Sequence, residues 1–252
     1  NGSTDNSIEK MVEWAEGKIP VNTKFVTYCP ELKPVDYVIY TQIVAEAGGN
    51  ENEYKLYNLP STRRIVFIQT AKNHGYAEGN NIGIRYALKK NTDFIFILNN
   101  DTVVDKNILT EFLLAYKNLG PACYGAKVYY YSHPERIQFS GVKFSFLKMR
   151  FIHSYTDVTC LKQIDYASGA ALFLPRKIIE KVGLFDKRLL LYDESDLCYR
   201  IKKIGYKNFL VPKAIIYHKG SVSFQKSEIK IEYFDTRSKF LWVEKHLSIY
   251  WR

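Results

Sequence analysis

Two stretches in the first half of the chain each combine an apolar run with a following amphipathic segment. The runs cover residues 64–68 and 94–98, and helical spacing follows each of them, to about Lys90 and from Asp105 to about Leu119. Strands that are apolar along their whole length are typical of a sheet covered on both faces, and consecutive strand–helix units favour parallel pairing. The pattern therefore predicts an α/β fold with a central, mainly parallel sheet flanked by helices.

The remaining segments predict smaller elements around that sheet. Alternating aromatic and polar positions over 123–174 predict antiparallel ribbons, and the tail at 226–252 is basic and helix-like. Residues 20–62 are rich in proline, lack periodicity and are interpreted as an insertion rather than core. We expect one domain over 1–252. Further predictions are helices at 8–17, 40–47, 175–182 and 197–204, and short strands at 209–211 and 215–217.

Composition restricts the class of protein. The chain has 252 residues, 46% of them hydrophobic and 25% charged, which is typical of a folded protein and excludes a disordered tail. Lys and Arg number 36 against 26 Asp and Glu, and the net charge of +10 suits an anionic partner or a solvated basic face. Because the lysines are scattered and no recognised binding motif occurs, nucleic acid is not expected as a partner.

Cysteine usage and hydropathy indicate the compartment. The four cysteines are far apart and form no CxxC pair, which argues against a zinc site or a disulfide scaffold and fits a reducing compartment. The sequence has no apolar run of roughly 18 residues and no basic-then-apolar leader. We therefore expect a soluble, cytoplasmic protein.

Polar clusters follow both apolar runs, at the strand ends where parallel sheets bind ligands. The first, from Asn73 to Gly83, has glycines and asparagines that suit close approach to a nucleotide, and a plain helix start is the alternative. The second, Asn99-Asn100-Asp101, offers a carboxylate beside amide oxygens. That set suits Mg²⁺ or Mn²⁺ holding a diphosphate, with an Asx turn as the alternative.

A third cluster places Asp193, Glu194 and Asp196 at a helix start. Mutual repulsion beside apolar positions raises the pKa of such acids, which would produce a base able to take a proton from a hydroxyl. The alternative is an acidic first turn favoured by the helix dipole, with Arg200 paired to it. His218 follows a short strand and can join the metal of the second cluster only if the two strands are neighbours.

The order of these clusters resembles that of family 2 glycosyltransferases, which have a GT-A fold, and above all the rhamnosyltransferase-like branch that builds bacterial and archaeal surface polysaccharides. The resemblance covers the first few residues and about 63–245. It rests on NGSTDNS at 1–7, NHGYAEGNNIGIRYAL at 73–88, FILNNDT at 96–102, DYASGAALFLPR at 165–176, VGLFDKRLLLYDESDLCYRI at 182–201, GY at 205–206 and VPKAIIYHKGS at 211–221.

The resemblance implies a role for each matching residue. The nucleotide-binding residues would be Asn73, Gly75, Asn80, Asn99 and Asn100. The pocket between donor sugar and acceptor would be lined by Asp165, Ser168, Gly169, Ala170 and Tyr192. Asp101 and His218 would hold Mg²⁺ or Mn²⁺, and the catalytic group would be Glu194 as base with Asp193 and Asp196 beside it.

The resemblance also implies the reaction and its setting. It predicts an inverting, metal-dependent hexosyl or rhamnosyl transferase that uses a UDP- or dTDP-linked sugar and a glycan or lipid-linked acceptor in cell-envelope polysaccharide synthesis. A catalytically inactive sugar-nucleotide-binding module is the alternative. The basic tail is expected to contact the inner face of an anionic membrane, and the sequence makes no prediction of the oligomeric state. The residues of that expectation are Lys226, Lys230, Arg237, Lys239 and Lys245.

This sequence departs from the family pattern at three points. The family's first strand and helix are absent before NGST, so the chain resembles an N-terminally incomplete domain. Asn99 stands where the DxD metal motif has its first acid. The order Asp193-Glu194 reverses the usual Glu-Asp, so either residue can be the base.

Overall fold

A computed structural model describes residues 1–57, 64–145, 150–220 and 228–247. The chain divides into two compact units, Asn1–Asn91 and Thr92–Arg252, and the expectation of one domain stays a prediction. The first unit contains α1 (Ser7–Ala15), β1 (Asp36–Thr41), α2 (Gln42–Ala47), α3 (Tyr54–Tyr57), β2 (Arg64–Gln69) and α4 (Gly75–Lys89), with 3₁₀ turns at Pro30–Leu32 and Glu51–Glu53.

The first unit is built on a parallel strand pair. β1 runs beside β2 with Asp36 opposite Arg64 and Thr41 opposite Gln69. Its core joins alternate residues of β1 to α2 and α3, and its buried members are Val38, Tyr40, Ala45 and Leu56. Residues 36–57 therefore belong to the core, and the interpretation of 20–62 as an insertion outside it is wrong for this part. The β-branched and aromatic residues of β1 form a half-buried strand, which the flanking prolines concealed.

The second unit surrounds a mixed sheet. In the described part of the chain this sheet has seven strands, with the order β3-β10-β5-β11-β4, while β6 pairs with β5 and β9 with β11. Its elements are β3 (Phe94–Leu98), β4 (Thr102–Val104), α5 (Ile108–Leu119), β5 (Cys123–Tyr130), β6 (Ile137–Phe139), β7 (Val142–Ser145), β8 (Arg150–His153), β9 (Lys162–Ile164), β10 (Ala171–Pro175), α6 (Arg176–Val182), α7 (Asp193–Lys203), β11 (Asn208–His218) and α8 (Glu228–Leu247).

The central strand of this sheet is β5. Its first six residues are buried, and it lies between β10, which is antiparallel to it, and β11, which is parallel to it. Gly125 allows close packing here, because a Cβ at this position would lie 2.3 Å from Ala167 Cβ. The α/β class, the flanking helices and the small β7–β8 ribbon agree with prediction. The proportion of parallel pairs is lower than predicted, because β3, β4, β6, β9 and β10 all pair antiparallel.

The C-terminal half of the sheet depends on β11. The sequence predicts two short strands here, and the structure has one strand whose register shifts between Val211 and Ile215. Pro212 lies in the shifted segment and has no backbone N–H to donate, which accounts for the irregular register. The continuous strand carries His218 to the sheet edge beside β4. Among the described helices, none combines the length and the apolar character needed to span a bilayer.

Candidate active site

Asp101 and His218 lie side by side at the ends of two neighbouring strands. Antiparallel pairing of β4 with β11 puts Thr102 opposite His218, and the backbone N–H of Lys219 donates to the Asp101 carbonyl at 3.0 Å. His218 Nε2 lies 3.1 Å from Asp101 Oδ1. The condition set by the sequence, that the two strands be neighbours, is therefore met.

The other ring nitrogen of His218 indicates what the pair can bind. Nδ1 lies 2.7 Å from Gln138 Oε1, which can only accept, so Nδ1 carries a proton. In a neutral imidazole Nε2 then presents its lone pair to the Asp101 carboxylate, and two acceptors repel unless a proton or a cation lies with them. A histidine that binds a metal typically donates the N–H of one ring nitrogen to a fixed acceptor and uses the other nitrogen as the ligand. His218 has this arrangement, with Nδ1 toward Gln138 and Nε2 toward Asp101.

The donor set fits a divalent cation held largely by its substrate. Imidazole and carboxylate suit Mn²⁺, and carboxylate suits Mg²⁺. Two ligands about 2.1 Å from one metal and at right angles to each other lie about 3 Å apart, as these two atoms do. Among the described residues there is no group of three or more His, Cys, Asp or Glu that could hold a metal. A cation here would therefore take further ligands from water and phosphate oxygens.

The turn before β10 lies against the strand end that carries Asp101. The backbone N–H of Asn99 donates to the Ala170 carbonyl at 3.1 Å, and the N–H of Ala170 donates to Ser168 Oγ at 3.3 Å. Asn100 is exposed beside them. The structure therefore brings the predicted pocket turn, which includes Gly169, next to the predicted metal segment.

Asp193 and Glu194 open α7 as a coupled pair of carboxylates. Tyr192, with φ of 66°, turns the chain sharply into the helix. Asp193 is 4% exposed, its Oδ1 accepts from the Glu194 N–H at 3.0 Å, and its Oδ2 has no hydrogen-bond partner among the described residues. Desolvation and then repulsion from Asp193 raise the pKa of Glu194 well above the ordinary value of 4.5, and desolvation raises the pKa of Asp193. A carboxylate with a raised pKa is a stronger base.

Asp196 pairs with cations, contrary to its predicted catalytic role. It is fully buried and lies 2.9 Å from Arg200 Nε, 2.6 Å from Lys245 Nζ and 2.7 Å from His246 Nε2. Burial alone would raise its pKa, but the hydrogen bond from His246 and the charges of Arg200 and Lys245 outweigh burial and lower it. Because no substrate can reach it, Asp196 serves to join α7 to α8.

Asp165, predicted to line the sugar pocket, is engaged within the protein. Lys202 Nζ pairs with its Oδ1, and the backbone N–H of Phe144 donates to its Oδ2 at 2.7 Å. Asn208 Nδ2 donates to its carbonyl at 2.8 Å. Because both carboxylate oxygens have partners, Asp165 connects the β7–β8 ribbon to α7 and β11.

Helix α8 holds the loop before the carboxylate pair, and the sequence reasoning assigned no such contacts. Ser238 Oγ accepts from the N–H groups of Leu190 and Leu191, each at 3.3 Å. Asp235 Oδ1 accepts from the Tyr192 hydroxyl at 2.7 Å. Burial and this hydrogen bond raise the pKa of Tyr192. The position of Tyr192, and so of the first turn of α7, therefore depends on α8.

Several charges of the basic tail are also used inside the second unit. Lys239 pairs with Asp235, Lys245 pairs with Asp186 and Asp196, and Arg237 donates to the Arg188 carbonyl. Lys226 and the side chain of Lys230 lie outside the described residues. The expected membrane contact stays a prediction, and these pairs leave fewer tail charges available for it.

The predicted nucleotide turn lies in the first unit. Asn73 Oδ1 accepts from the Gly75 N–H at 2.8 Å, as in an Asx turn. Asn1, which the sequence reasoning missed as a functional residue, accepts from the His74 N–H at 2.9 Å and donates to the Gly75 carbonyl at 2.9 Å. Asn80 Nδ2 donates to a carbonyl of its own helix at 3.0 Å. The residues at the chain start thus shape this turn, and the NGST segment was the available signal.

Comparisons with known proteins identify the family of this chain. The chain belongs to the family described as glycosyltransferase like family 2, whose model matches residues 56–232. A relative is the low-salt glycan biosynthesis hexosyltransferase Agl10 of Haloferax volcanii, 26% identical over 205 residues, or 76% of this chain and 64% of the relative. The chain therefore spans less than two thirds of that protein. The resemblance to family 2 glycosyltransferases is confirmed.

Two further similarities have different extents. The dTDP-rhamnosyl transferase RfbF of Shigella flexneri is 25% identical over 246 residues, which cover 88% of this chain and 79% of that protein. A crystal structure of GalNAc-T7 with UDP, GalNAc and Mn²⁺ has a TM-score of 0.49 and 14% identity, and the match covers 68% of this chain and 36% of that one.

Proposed function

We propose that this chain transfers a glycosyl group from a nucleoside-diphosphate sugar to a hydroxyl of a glycan or lipid-linked acceptor, with inversion at the anomeric carbon. The observation that carries the proposal is the desolvated Asp193–Glu194 pair at the start of α7, in which the pKa of Glu194 is raised. Family membership gives the reaction class. The pair supplies the base that transfer to a hydroxyl requires.

Glu194 takes the hydroxyl proton of the acceptor in this mechanism. The acceptor oxygen attacks the anomeric carbon from the face opposite the nucleoside diphosphate, the bond from that carbon to the diphosphate oxygen breaks, and the configuration inverts. The proton ends on the Glu194 carboxylate, next to Asp193, whose negative charge stabilises the protonated form of its neighbour. Orientation of two substrates supplies much of the remaining acceleration.

Asp101 and His218 would hold a divalent cation in this proposal, with Gln138 orienting the imidazole. A bound Mg²⁺ or Mn²⁺ neutralises charge on a leaving diphosphate. In the first unit, the turn organised by Asn1 and Asn73 offers backbone N–H groups and amide side chains to a nucleotide. The relatives make a UDP- or dTDP-linked hexose or rhamnose the first donors to test, and polysaccharide synthesis at the cytoplasmic face of the membrane is the proposed setting.

Calorimetry tests the donor half of the proposal. UDP, dTDP and GDP are titrated with and without Mn²⁺ into the wild type, Asp101→Ala and Asp105→Ala, the last being a matched loss of one carboxylate a few residues away. We expect Mn²⁺-dependent binding of one nucleotide to the wild type and Asp105→Ala, and none to Asp101→Ala. Nucleotide binding that is equal in Asp101→Ala and the wild type would contradict the assigned cation site.

Turnover tests the base. Glu194→Gln should lower transfer by about 10²–10⁴-fold, the usual contribution of a general base, while nucleotide binding is retained. Near-normal transfer by Glu194→Gln with loss of transfer in Asp193→Asn would move the base to Asp193.

Nuclear magnetic resonance of the first-formed product gives the anomeric configuration, and retention would refute the single displacement. Nucleotide binding without any transfer would favour an inactive binding module.

A further inference from the structure

A second feature of the second unit is a cavity between the β7–β8 ribbon and α8. Its volume is about 290 Å³, near the lower end of the roughly 300–1,000 Å³ usual for small-molecule sites. Phe144, Phe151 and Trp242 form its aromatic walls, with ring centroids of Trp242 5.3 Å from Phe144 and 5.4 Å from Phe151. Flat apolar walls of this kind pack against the apolar face of a sugar ring.

The polar groups of the cavity are mainly donors and cations. Arg150 and Lys239 line it, and no carboxylate is among its described lining residues. Lys239 is paired with Asp235, whereas Arg150 has no ion pair among the described residues. A ligand that pairs with Arg150 must supply negative charge, as a phosphate ester does.

The cavity reaches the start of α7 through Tyr192 and shares no lining residue with the Asp101–His218 pair. Tyr192, which also lines it, immediately precedes Asp193 and stacks on Phe151 with centroids 5.8 Å apart. A ligand in the cavity therefore contacts the residue that leads into the proposed carboxylate pair.

We infer that this cavity binds the acceptor as a sugar phosphate, with the sugar ring against the aromatic walls and its phosphate at Arg150. The inference rests on the proposed function and names the chemical class of the acceptor. The phosphate belongs either to a soluble sugar phosphate or to a lipid-linked sugar diphosphate, and both present the same charged group to the cavity.

Calorimetry without donor tests the inference directly. The probes are glucose 1-phosphate, glucose and inorganic phosphate, titrated into the wild type, Arg150→Glu and Lys143→Glu. Lys143 is exposed on the same ribbon, does not line the cavity and undergoes the same reversal of charge. We expect glucose 1-phosphate to bind at least about tenfold tighter than glucose, Arg150→Glu to lose about tenfold, and Lys143→Glu to change binding by less than about twofold.

Equal binding of glucose and glucose 1-phosphate would overturn the inference, and so would equal effects of the two charge reversals.

A lipid arm identifies the source of the phosphate. The probe is glucose linked to geranyl diphosphate. If it binds about tenfold tighter than glucose 1-phosphate, the acceptor is lipid-linked, and if the two bind equally, the acceptor is soluble. Binding of UDP, dTDP and GDP with Mn²⁺ is measured on the same samples. Binding of one nucleotide with no binding of any sugar phosphate would refute this inference alone, whereas a wild type that binds none of the three nucleotides would refute the proposed function.

Discussion

Replacement of Asp196 by Asn tests how α7 is held to α8. The carboxylate of Asp196 is fully buried among Arg200, Lys245 and His246, and each of these side chains contacts it within 2.9 Å. Asn keeps the size of the side chain and one acceptor oxygen but removes the negative charge. The substitution therefore leaves positive charge in the interior without its main counterion.

The size of the effect follows from the other partners of these cations. Breaking a buried ion pair by removing one member costs roughly 3–5 kcal/mol. Arg200 retains hydrogen bonds to two backbone carbonyls at 2.6 and 2.8 Å, and Lys245 retains Asp186 at 2.8 Å, so the lower end applies. We expect the free energy of unfolding to fall by about 3 kcal/mol, and with an m-value of about 2 kcal/mol/M the urea midpoint falls by about 1.5 M.

Urea unfolding of the full chain, followed by circular dichroism and tryptophan fluorescence, measures this loss. Glu180→Gln is the matched control, because Glu180 and Arg176 form a pair one helical turn apart on α6 with side chains 49% and 29% exposed. Such exposed pairs contribute at most about 1 kcal/mol. Since the pKa of Asp196 is lowered from 3.8, its contribution is present above that value and should disappear as pH falls below it. Equal losses in the two variants at pH 7 would refute the reasoning.

Three other substitutions test separate parts of the second unit. Because the pKa of Glu194 is raised, the folded state favours the protonated acid and loses stability as pH rises above 4.5. Glu194→Gln should therefore unfold at higher urea than the wild type at pH 8, and the difference should vanish toward pH 4. A lower urea midpoint of this variant at pH 8 would contradict the expectation. Gly125→Ala should cost about 1–3 kcal/mol in the same assay, because its Cβ would lie 2.3 Å from Ala167 Cβ, and an unchanged midpoint would show that the neighbours relax freely. Gln138→Leu removes the partner of His218 Nδ1 and should weaken Mn²⁺-dependent nucleotide binding by roughly 10–100-fold in calorimetry. Equal nucleotide binding by this variant and the wild type would show that the imidazole needs no orienting group.

Elements whose local pattern agrees with their packing could be predicted from the sequence. β3 is found at the predicted residues and β2 extends one residue past them, and α6 begins directly after Pro175 and ends before Gly183. In each case an apolar run, a helix-opening proline or a terminal glycine acts within a few residues. The partners of the strands could not be predicted, because the sequence alone does not show that β10 lies between β3 and β5.

β1 shows where local reading failed. Its alternation of buried and exposed residues over Asp36–Thr41 is a strand pattern, but it is short and lies among prolines and glycines that favour turns. What stabilises it is pairing with β2, whose first residue is 28 positions further on, with Asp36 opposite Arg64. Non-local pairing of this kind is decided by tertiary structure rather than by propensity.

The sequence brought together candidate residues that meet through the sheet and gave no sign of those that meet through α8. The resemblance assigned Asp101 and His218 to one metal, and the sheet brings the strand ends that carry them side by side. Tyr192 was assigned to the pocket, but its partner Asp235 is 43 residues away on another helix, and no periodicity in the sequence links the two. The resemblance matched these segments to the family but gave no information on the contacts between them.

The first turn of α7 shows why charge alone could not assign a role to each acidic residue. Glu194 and Asp196 are two positions apart on a helix, and residues with this spacing face in different directions. Glu194 is coupled to Asp193, and desolvation raises its pKa. Asp196 contacts Arg200 on its own helix and Lys245 and His246 on α8, and these contacts lower its pKa. Acids whose pKa values are pushed apart by their surroundings take different roles. The same acidic turn thus provides both the proposed base and an ion pair that holds the helix carrying it, and the direction of each side chain decides which acid does which.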